Sequence, residues 1–423
     1  MLGNHHIMSE TASNTGLSIK MDLLEKEVAK QQPFRSIIKI VDSLIEQAYN
    51  SRASDIHMDP EEKTFRLRFR IDGVLHDVYS FPKDLHSEII TRIKVLSGMR
   101  TDEHQAAQDG RMRIAVPEAG FVDVRVSITP TYYGENCVMR LLAGKSDDFS
   151  LANLGFSEDN LKRMHRAMKK PYGLILATGP TGSGKTTTLY MVLKEINKPD
   201  ISVITIEDPI EYSLGGVDQI QVNNKTGLTF ANGLRSILRQ DPNVVMVGEI
   251  RDGETASIAV NAAMTGHLVL STLHTNDAPT TLPRLLDLGV EPFLIASTLN
   301  IAIGQRLVRT ICSDCKVKKT FTETELSALN DAFPATLLKD HKVFYKGEGC
   351  ARCNHSGYKG RIGIHEVLEV DEKIRELIMR RANADEIRKS AIDNGMITMT
   401  EDGFEKAIAG VTTIEEILRV FHE

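Results

Sequence analysis

The stretch GLILATGPTGSGKTTTLYMVLKEI (173–196) joins a short apolar run to a Gly-rich loop and then to a helical segment. Its central part, GPTGSGKT (179–186), matches the phosphate-binding pattern G-x-x-x-x-G-K-[ST] in full. The glycines let successive backbone N–H groups turn toward phosphate oxygens, and the helix start adds partial positive charge. A Gly-rich turn without a ligand is the alternative. The strand, loop and helix occur in the required order, so we predict an ATP site in an α/β fold.

The loop residues have separate predicted roles. The Lys185 ammonium would bridge the β- and γ-phosphates of ATP, and the Thr186 hydroxyl would bind Mg²⁺. The other positions predicted to surround the phosphates are Gly179, Pro180, Thr181, Gly182, Ser183, Gly184 and Thr187.

Four apolar runs, GLILATG, SVITIED, VVMVGE and HLVLSTL, alternate with helical stretches in this part of the chain. Such runs are typical of parallel strands that are covered on both faces. Two of them end in acids, Glu207 and Glu249, at the strand ends where α/β sheets bind ligands. We assign Glu207 as the general base for the attacking water and Glu249 to the magnesium ion. The alternative is that both are solvated acids.

A histidine stands at each end of the last apolar run, in TGHLVLSTLHTNDAP (265–279). His274 follows the strand on the phosphate side. With Ser271 and Thr272, it would sense the γ-phosphate by hydrogen bonding. A structural role for His274 is the alternative. His267, at the opposite end, is expected to be structural or to lie at a subunit contact.

Hydrolysis of ATP spreads negative charge over the γ-phosphoryl oxygens, and an additional arginine commonly accelerates it about 10³–10⁵-fold. The candidates are Arg125 and Arg140 in the N-terminal block, and Arg235 and Arg239 on a helix predicted after GLTF. Any one of them taken singly would by default be an ordinary solvated or salt-bridged arginine.

Four of the five cysteines form two C-x2-C pairs, CSDC (312–315) and CARC (350–353). Cys312, Cys315, Cys350 and Cys353 would complete a tetrahedron around a structural Zn²⁺ and leave no open position. Disulfides and metal-free packed thiols are the alternatives. Cys137 is expected to be a buried small apolar residue.

The remaining chain divides by periodicity and composition. An amphipathic helix (34–52), an alternating hairpin with Asp72-Gly73 at its turn, a second helix (84–98) and further strands predict a small α+β domain over 34–145. The other predicted segments are a flexible N-terminal segment (1–33), a linker (146–158), the ATPase core (159–310) with a helical stretch at 293–311, the zinc module (311–360) and a helical C-terminal region (361–423).

Composition limits the function classes. The 423 residues carry a net charge of −6 and no run of eighteen apolar residues. We therefore expect a cytoplasmic protein without a transmembrane segment and do not expect a nucleic-acid partner.

Together these motifs resemble one family, the hexameric ATPases of type II secretion and type IV pilus assembly. The resemblance covers about 34–423 and rests on stretches such as SRASDIHMDP, QDGRM, IEDPIEY, LRSILRQDPNVVMVGEIRD and GYKGRIGIHEV. It implies a PAS-like N-terminal domain, a RecA-like P-loop core and a tetracysteine module, which points to the secretion and pilus-extension branch. It also implies nucleotide contact by the four arginines named above, and an aspartate box that contains Glu207.

The resemblance further implies a homo-hexamer that works against an inner-membrane platform protein, at the cytoplasmic face of that membrane. Relatives usually have an additional N-terminal docking domain, for which 1–33 is too short. Two other functions compete with this motor. A nucleic-acid translocase is disfavoured by the net charge of −6. A scaffold that binds ATP without turnover is disfavoured by the presence of Lys185, Glu207 and Glu249.

Overall fold

The computed structural model describes residues 22–30, 34–117, 120–142, 150–327, 329, 333 and 341–422. These residues form two compact units. The first holds the described residues up to 142 together with the cysteine-bearing segments 311–317 and 347–359, and the second holds the rest. None of the helices in the described part of the chain combines the length and the apolar composition that a membrane span needs.

The first unit is built on a six-stranded antiparallel sheet in the order β3-β2-β1-β6-β5-β4. Its strands are β1 (Ala53–Pro60), β2 (Thr64–Ile71), β3 (Val74–Pro82), β4 (Gln108–Val116), β5 (Gly120–Thr131) and β6 (Gly134–Leu142). Its helices are α1 (Asp22–Val28), α2 (Ile37–Asn50) and α3 (His86–Leu96). Both α2 and α3 bury their apolar stripes, and together with the antiparallel sheet they give this unit the predicted α+β architecture.

The hairpin prediction is confirmed in detail, because Asp72 and Gly73 have φ values of 48° and 89° between β2 and β3. Positive φ at both central residues is what a tight hairpin turn requires. Two features of this unit were not predicted. Strand β1 was missed although Asp55, His57 and Asp59 alternate with the buried Ile56 and Met58. Helix α1 lies within the segment predicted to be flexible, and it buries Leu24 and Val28, which are four residues apart.

The second unit is built on a seven-stranded sheet in the order β15-β12-β7-β11-β10-β8-β9. Its strands are β7 (Gly173–Thr178), β8 (Val203–Glu207), β9 (Asp218–Gln221), β10 (Val244–Val247), β11 (Leu268–Leu273), β12 (Leu299–Ile311) and β15 (Tyr358–Glu369). The pairings from β12 to β9 are parallel. The four predicted apolar runs are β7, β8, β10 and β11, and their residues are almost all buried.

Helices cover this sheet and continue beyond it. They are α4 (Glu158–Met168), α5 (Lys185–Ile196), α6 (Phe230–Ile237), α7 (Gly253–Met264), α8 (Thr281–Asp287), α9 (Pro292–Thr298), α10 (Glu323–Ser327), α11 (Glu372–Met379), α12 (Ala384–Asp393), α13 (Met399–Ile408) and α14 (Ile414–His422). A separate two-stranded sheet pairs β13 (Lys316–Thr320) with β14 (Val343–Gly347).

Three sequence predictions need correction here. The helical stretch at 293–311 is wrong, because α9 ends at Thr298 and the residues that follow form β12. A short apolar run that is buried on both faces has no periodicity to separate strand from helix. The C-terminal region becomes helical only at Glu372, after β15. In the predicted linker, Leu151 and Phe156 are buried in the core, while 143–149 lie outside the described residues.

Candidate nucleotide site and cysteine cluster

The phosphate-binding loop runs from the end of β7 to the start of α5. Gly179, Gly182 and Gly184 have φ values of 143°, 81° and 87°, which disfavour any residue with a side chain. A Cβ atom on Gly179 would also lie 2.3 Å from the Gln305 carbonyl oxygen. The predicted strand, loop and helix are therefore present, and three loop glycines adopt positive φ angles.

Gln305 holds this loop from the neighbouring strand β12, and sequence reasoning missed it. Its Nε2 donates to the Ser183 carbonyl oxygen at 2.7 Å, and its Oε1 accepts from Thr188 Oγ1 at 2.8 Å. The Gln305 side chain is buried. Because β12 was predicted as a helix, the sequence carried no signal that this residue reaches the loop.

Lys185 is 8% exposed, and its ammonium group lies over the loop. It donates to the carbonyl oxygens of Gly179 and Pro180 at 2.7 and 3.0 Å. Burial lowers the pKa of Lys185 to about 8, against the opposing charge of Glu249. The lysine and Glu249 are therefore close enough to interact electrostatically, as a shared phosphate and metal site requires.

Two loop hydroxyls differ in their surroundings. Ser183 Oγ is buried and has no hydrogen-bond partner within the described part of the chain. The Thr186 side chain is half-buried at the first turn of α5, and Thr187 beside it is also half-buried. An oxygen of this kind on the first helical turn is a suitable ligand for Mg²⁺.

Glu249 and His274, which the sequence assigned separately to the metal ion and to sensing of the γ-phosphate, lie in contact with each other. His274 Nε2 lies 3.1 Å from Glu249 Oε2, and Arg251 donates to Glu249 Oε1 at 2.6 Å. The Glu249 carboxylate is 12% exposed, whereas the His274 ring is 48% exposed. Hydrogen bonding to Glu249 raises the pKa of Arg251. Arg251 was not among the predicted arginines, although it lies only two residues after Glu249.

Ser271 and Thr272 do not share the sensing position predicted for them. Their hydroxyls are buried and donate to the carbonyl oxygens of Val247 and Gly248 at 2.7 and 2.8 Å. These bonds tie β11 to the residues directly before Glu249. At the other end of β11, His267 Nδ1 lies 3.0 Å from the Ala262 carbonyl oxygen near the end of α7, which is a structural contact.

Glu207, at the end of β8, is 2% exposed and fully engaged. Its Oε1 accepts from Thr205 Oγ1 at 2.6 Å and from Gln219 Nε2 at 3.1 Å, and its Oε2 accepts from the Tyr190 hydroxyl. Desolvation raises the pKa of Tyr190, with help from the charge of Glu207. The structure therefore holds this carboxylate in a fixed orientation through residues that the sequence did not indicate.

The four candidate arginines fall into both units. In the first unit Arg125 lies opposite Arg140 across β5 and β6, and Arg140 Nε donates to Asp55 Oδ1 at 2.9 Å. In the second unit Arg235 Nη2 donates to Glu254 Oε1 at 2.7 Å. Arg239 lies beyond the end of α6 rather than on it, and its Nη1 donates to the Arg235 carbonyl oxygen at 2.9 Å. Their contact with nucleotide stays a prediction.

The four predicted cysteines come together, with all four Sγ atoms within 4.8 Å of one another. The Sγ atoms of Cys312–Cys350, Cys315–Cys353 and Cys350–Cys353 are 3.8, 3.8 and 3.7 Å apart. A disulfide requires about 2.05 Å, so these thiols are not paired as disulfides. Cys137, in contrast, is fully buried in β6 as predicted.

The cluster fits a tetrahedral metal site. Four sulfurs at the usual Zn–S distance of about 2.3 Å lie about 3.8 Å apart at tetrahedral angles. Backbone N–H groups also point at the sulfurs, from Gly349 to Cys315 at 3.3 Å and from Cys350 and Gly357 to Cys353 at 3.2 and 3.3 Å. Such bonds stabilise thiolates, the form that binds metal.

Comparison with solved structures supports the same fold. A Legionella pneumophila ATPase, DotB, aligns with a TM-score of 0.66 and 22% identity over 93% of this chain and 98% of that one. The pilus retraction motor PilT, solved with bound ADP, aligns with a TM-score of 0.60 and 26% identity over 90% of this chain and 96% of that one.

Sequence comparison identifies the family as well as the fold. The type IV pilus assembly ATPase PilB of Myxococcus xanthus is 44% identical over 392 residues, which is 93% of this chain and 69% of the relative. The type II secretion system ATPase E of Vibrio cholerae is 46% identical over 402 residues, 95% of this chain and 78% of the relative. The profile of the type II/IV secretion system proteins matches residues 30–419. The chain therefore belongs to the type II/IV secretion system protein family, and it is an ATPase of that family.

Proposed function

We propose that this chain is the subunit of a hexameric ATP-driven motor that powers type IV pilus assembly or type II protein secretion. The observation that carries the proposal is the placement of Lys185, Glu249 and His274 around one phosphate-binding loop. Relatives named for both machines are 44–47% identical to the chain. The partner would be a platform protein in the inner membrane, reached from the cytoplasmic side.

The binding step belongs to the loop and Lys185. The backbone N–H groups of 179–184, except at Pro180, and those at the start of α5 donate to the phosphates, and the Lys185 ammonium moves from the loop carbonyls to the β- and γ-phosphates. The negatively charged phosphate oxygens of ATP replace two backbone carbonyl oxygens as acceptors for the Lys185 ammonium. Because hydrogen bonds between charged groups are stronger, binding is favourable even though Lys185 is buried.

The Thr186 hydroxyl and the Glu249 carboxylate would hold Mg²⁺, which neutralises charge on the phosphate oxygens when bound. Both are hard oxygen donors of the kind that Mg²⁺ prefers. Glu207 takes the proton of the attacking water, and Tyr190, Thr205 and Gln219 keep its carboxylate oriented. His274 reports on the terminal phosphate through its contact with Glu249.

Two further parts complete the proposal. Arg125, Arg140, Arg235 and Arg239 would contact nucleotide within the assembled ring, which would couple hydrolysis to motion of one unit against another. The tetracysteine cluster would hold one Zn²⁺ as a structural site, since all four positions are filled by thiolates.

The central test is the Lys185→Ala variant. We expect ATP turnover to fall about 10²–10³-fold, because the substitution removes charge stabilisation at the transferred phosphoryl group. Lys194→Ala is the matched control, since Lys194 is exposed on the same helix α5. Turnover in a coupled phosphate-release assay measures both. A Lys185→Ala protein that binds and hydrolyses ATP like the parent would overturn the proposed function.

The zinc assignment has its own test. Elemental analysis of the purified protein is expected to give one zinc per chain, and Cys315→Ser is expected to lose it together with stability of the cysteine segments. Ser313→Ala serves as the control, because Ser313 is exposed and lies between Cys312 and Cys315. Full zinc content in Cys315→Ser would contradict the assignment.

A further inference from the structure

The loop that follows β11 carries His274, and its first attachment is to the end of β7, beside the phosphate-binding loop. The Thr275 N–H donates to Thr178 Oγ1 at 3.0 Å, and Thr178 Oγ1 also lies 3.0 Å from the Thr275 carbonyl oxygen. Thr178 is the last residue of β7, directly before Gly179. The His274 loop and the phosphate-binding loop therefore share one anchor point.

The second attachment of this loop comes from α12, more than a hundred residues later in the chain. Asp277 Oδ1 accepts from the Thr280 N–H at 2.8 Å, which fixes the turn of the loop. Asp277 Oδ2 accepts from Arg388 Nη2 at 2.7 Å. The Asp277 side chain is only 20% exposed, so the ion pair is shielded from water on the loop side.

A third attachment comes from β15. Glu366, which is 4% exposed, accepts from the Ala278 N–H through Oε1 at 2.6 Å and from the Met399 N–H through Oε2 at 3.4 Å. Gly304 on β12 makes room for it, since a Cβ there would lie 2.8 Å from Glu366 Oε1. A buried carboxyl is costly to desolvate, and burial raises the pKa of Glu366 to about 7. It bridges the loop to the start of α13.

We propose that Arg388 and Glu366 are positioning residues for ATP hydrolysis, which hold residues 274–280 so that His274 stays against Glu249. This inference rests on the proposed function. Neither residue lies in the phosphate-binding loop, so their loss changes the alignment of the reacting groups rather than the binding of ATP. A displacement of about 1 Å at such a site costs up to 10²-fold in rate. The C-terminal helical region thereby becomes part of the hydrolytic machinery.

The experiment compares steady-state kinetics of Arg388→Ala with those of the parent hexamer. We expect kcat to fall about tenfold while KM for ATP stays within about twofold, and Arg388→Lys to restore part of kcat. Asp385→Ala is the matched control, because it removes the other partner of Arg388, at 2.8 Å, and leaves the Asp277 contact intact. Parent-level kcat in Arg388→Ala would overturn the inference.

A double-mutant cycle with His274→Ala separates positioning from general loss of stability. If Arg388 acts through the His274 loop, Arg388→Ala costs little more once His274 is absent. Fully additive losses would overturn the inference. Glu366→Gln, which retains an acceptor for the Ala278 N–H, is expected to lower kcat less than Glu366→Leu, which removes both acceptors. An inactive Lys185→Ala beside a fully active Arg388→Ala would remove this inference and leave the proposed function standing.

Discussion

Two acidic strand ends of the same sheet have opposite surroundings. Glu207 ends β8 and is enclosed by three neutral hydrogen-bond donors, from Tyr190, Thr205 and Gln219. Glu249 follows β10, the adjacent strand, and pairs with two side chains that can carry positive charge and are about half or more exposed. In the sequence both carboxylates follow a buried apolar run, and nothing distinguishes them. In the tertiary structure Glu207 is held rigidly, whereas Glu249 is more accessible.

The difference suggests a difference in role. A carboxylate bound by an exposed arginine and histidine exchanges these partners readily for a metal ion or a phosphate-bound water. A carboxylate fixed by buried neutral donors keeps its orientation throughout the cycle, as a base that must meet one water in one geometry would. The charge of Glu249 opposes the decrease in the pKa of Lys185, which supports a role for the accessible carboxylate beside the predicted phosphate site.

The largest expected effect is that of Glu249→Gln. Removing this charge at the metal and phosphate site should lower kcat about 10²–10⁴-fold while ATP still binds. The matched control is Glu372→Gln, which alters an exposed acid at the start of α11. Single-turnover hydrolysis and equilibrium ATP binding are the measurements. Parent-level hydrolysis in Glu249→Gln would show that Glu249 is only a solvated acid and would refute the proposed difference in role between Glu249 and Glu207.

Glu207→Gln should have the second-largest effect. As the general base, Glu207 is expected to contribute about 10²-fold to kcat, and its amide substitute should also disturb the Thr205 and Gln219 bonds. Asp208→Asn, at the exposed acid next in the chain, is the control. If Glu207→Gln keeps its kcat and only its thermal unfolding midpoint falls, Glu207 is a structural carboxylate.

Tyr190→Phe tests whether a single hydroxyl group orients the Glu207 carboxylate. It removes one of the donors that orient Glu207, and a net loss of about 1 kcal/mol corresponds to about fivefold in kcat. Tyr212→Phe is the matched control. Its ring packs edge-on against Tyr190 with centroids 4.6 Å apart, and its hydroxyl has no hydrogen-bond partner among the described residues. Equal kcat losses in both variants would show that orientation of Glu207 by the Tyr190 hydroxyl is not responsible.

These partners show what sequence alone could predict. The loop 179–186 and the cysteine pairs are complete local patterns, so their residues were identified directly. The parallel strands and their acidic ends followed from buried apolar runs. Gln305, Gln219 and Arg388 could not be found in this way, because each reaches the site from a distant element through a contact that no periodicity encodes. The one strand taken for a helix, β12, also concealed Gln305.

The smallest expected effect is on the pH dependence of nucleotide affinity. This dependence follows the protonation of Lys185, which Glu249 influences and Glu207 does not. Burial lowers the pKa of Lys185 from 10.5 to about 8, and the charge of Glu249 opposes that decrease. Above about pH 8 the unliganded lysine loses its proton, so nucleotide affinity should weaken as the pH rises through this value. Removing the charge of Glu249 lowers the pKa of Lys185 further, and the weakening should then begin at lower pH.

Titrations of ADP in the presence of EDTA measure this effect without any contribution from metal binding. At pH 8.5 the dissociation constant of Glu249→Gln should exceed that of the parent by about threefold, a difference that disappears near pH 6.5, where Lys185 is protonated in both proteins. Glu207→Gln should follow the parent curve, because Glu207 is not among the groups that shift the pKa of Lys185. If Glu207→Gln shifts the curve and Glu249→Gln does not, the accessible and the enclosed acid have been assigned the wrong way round.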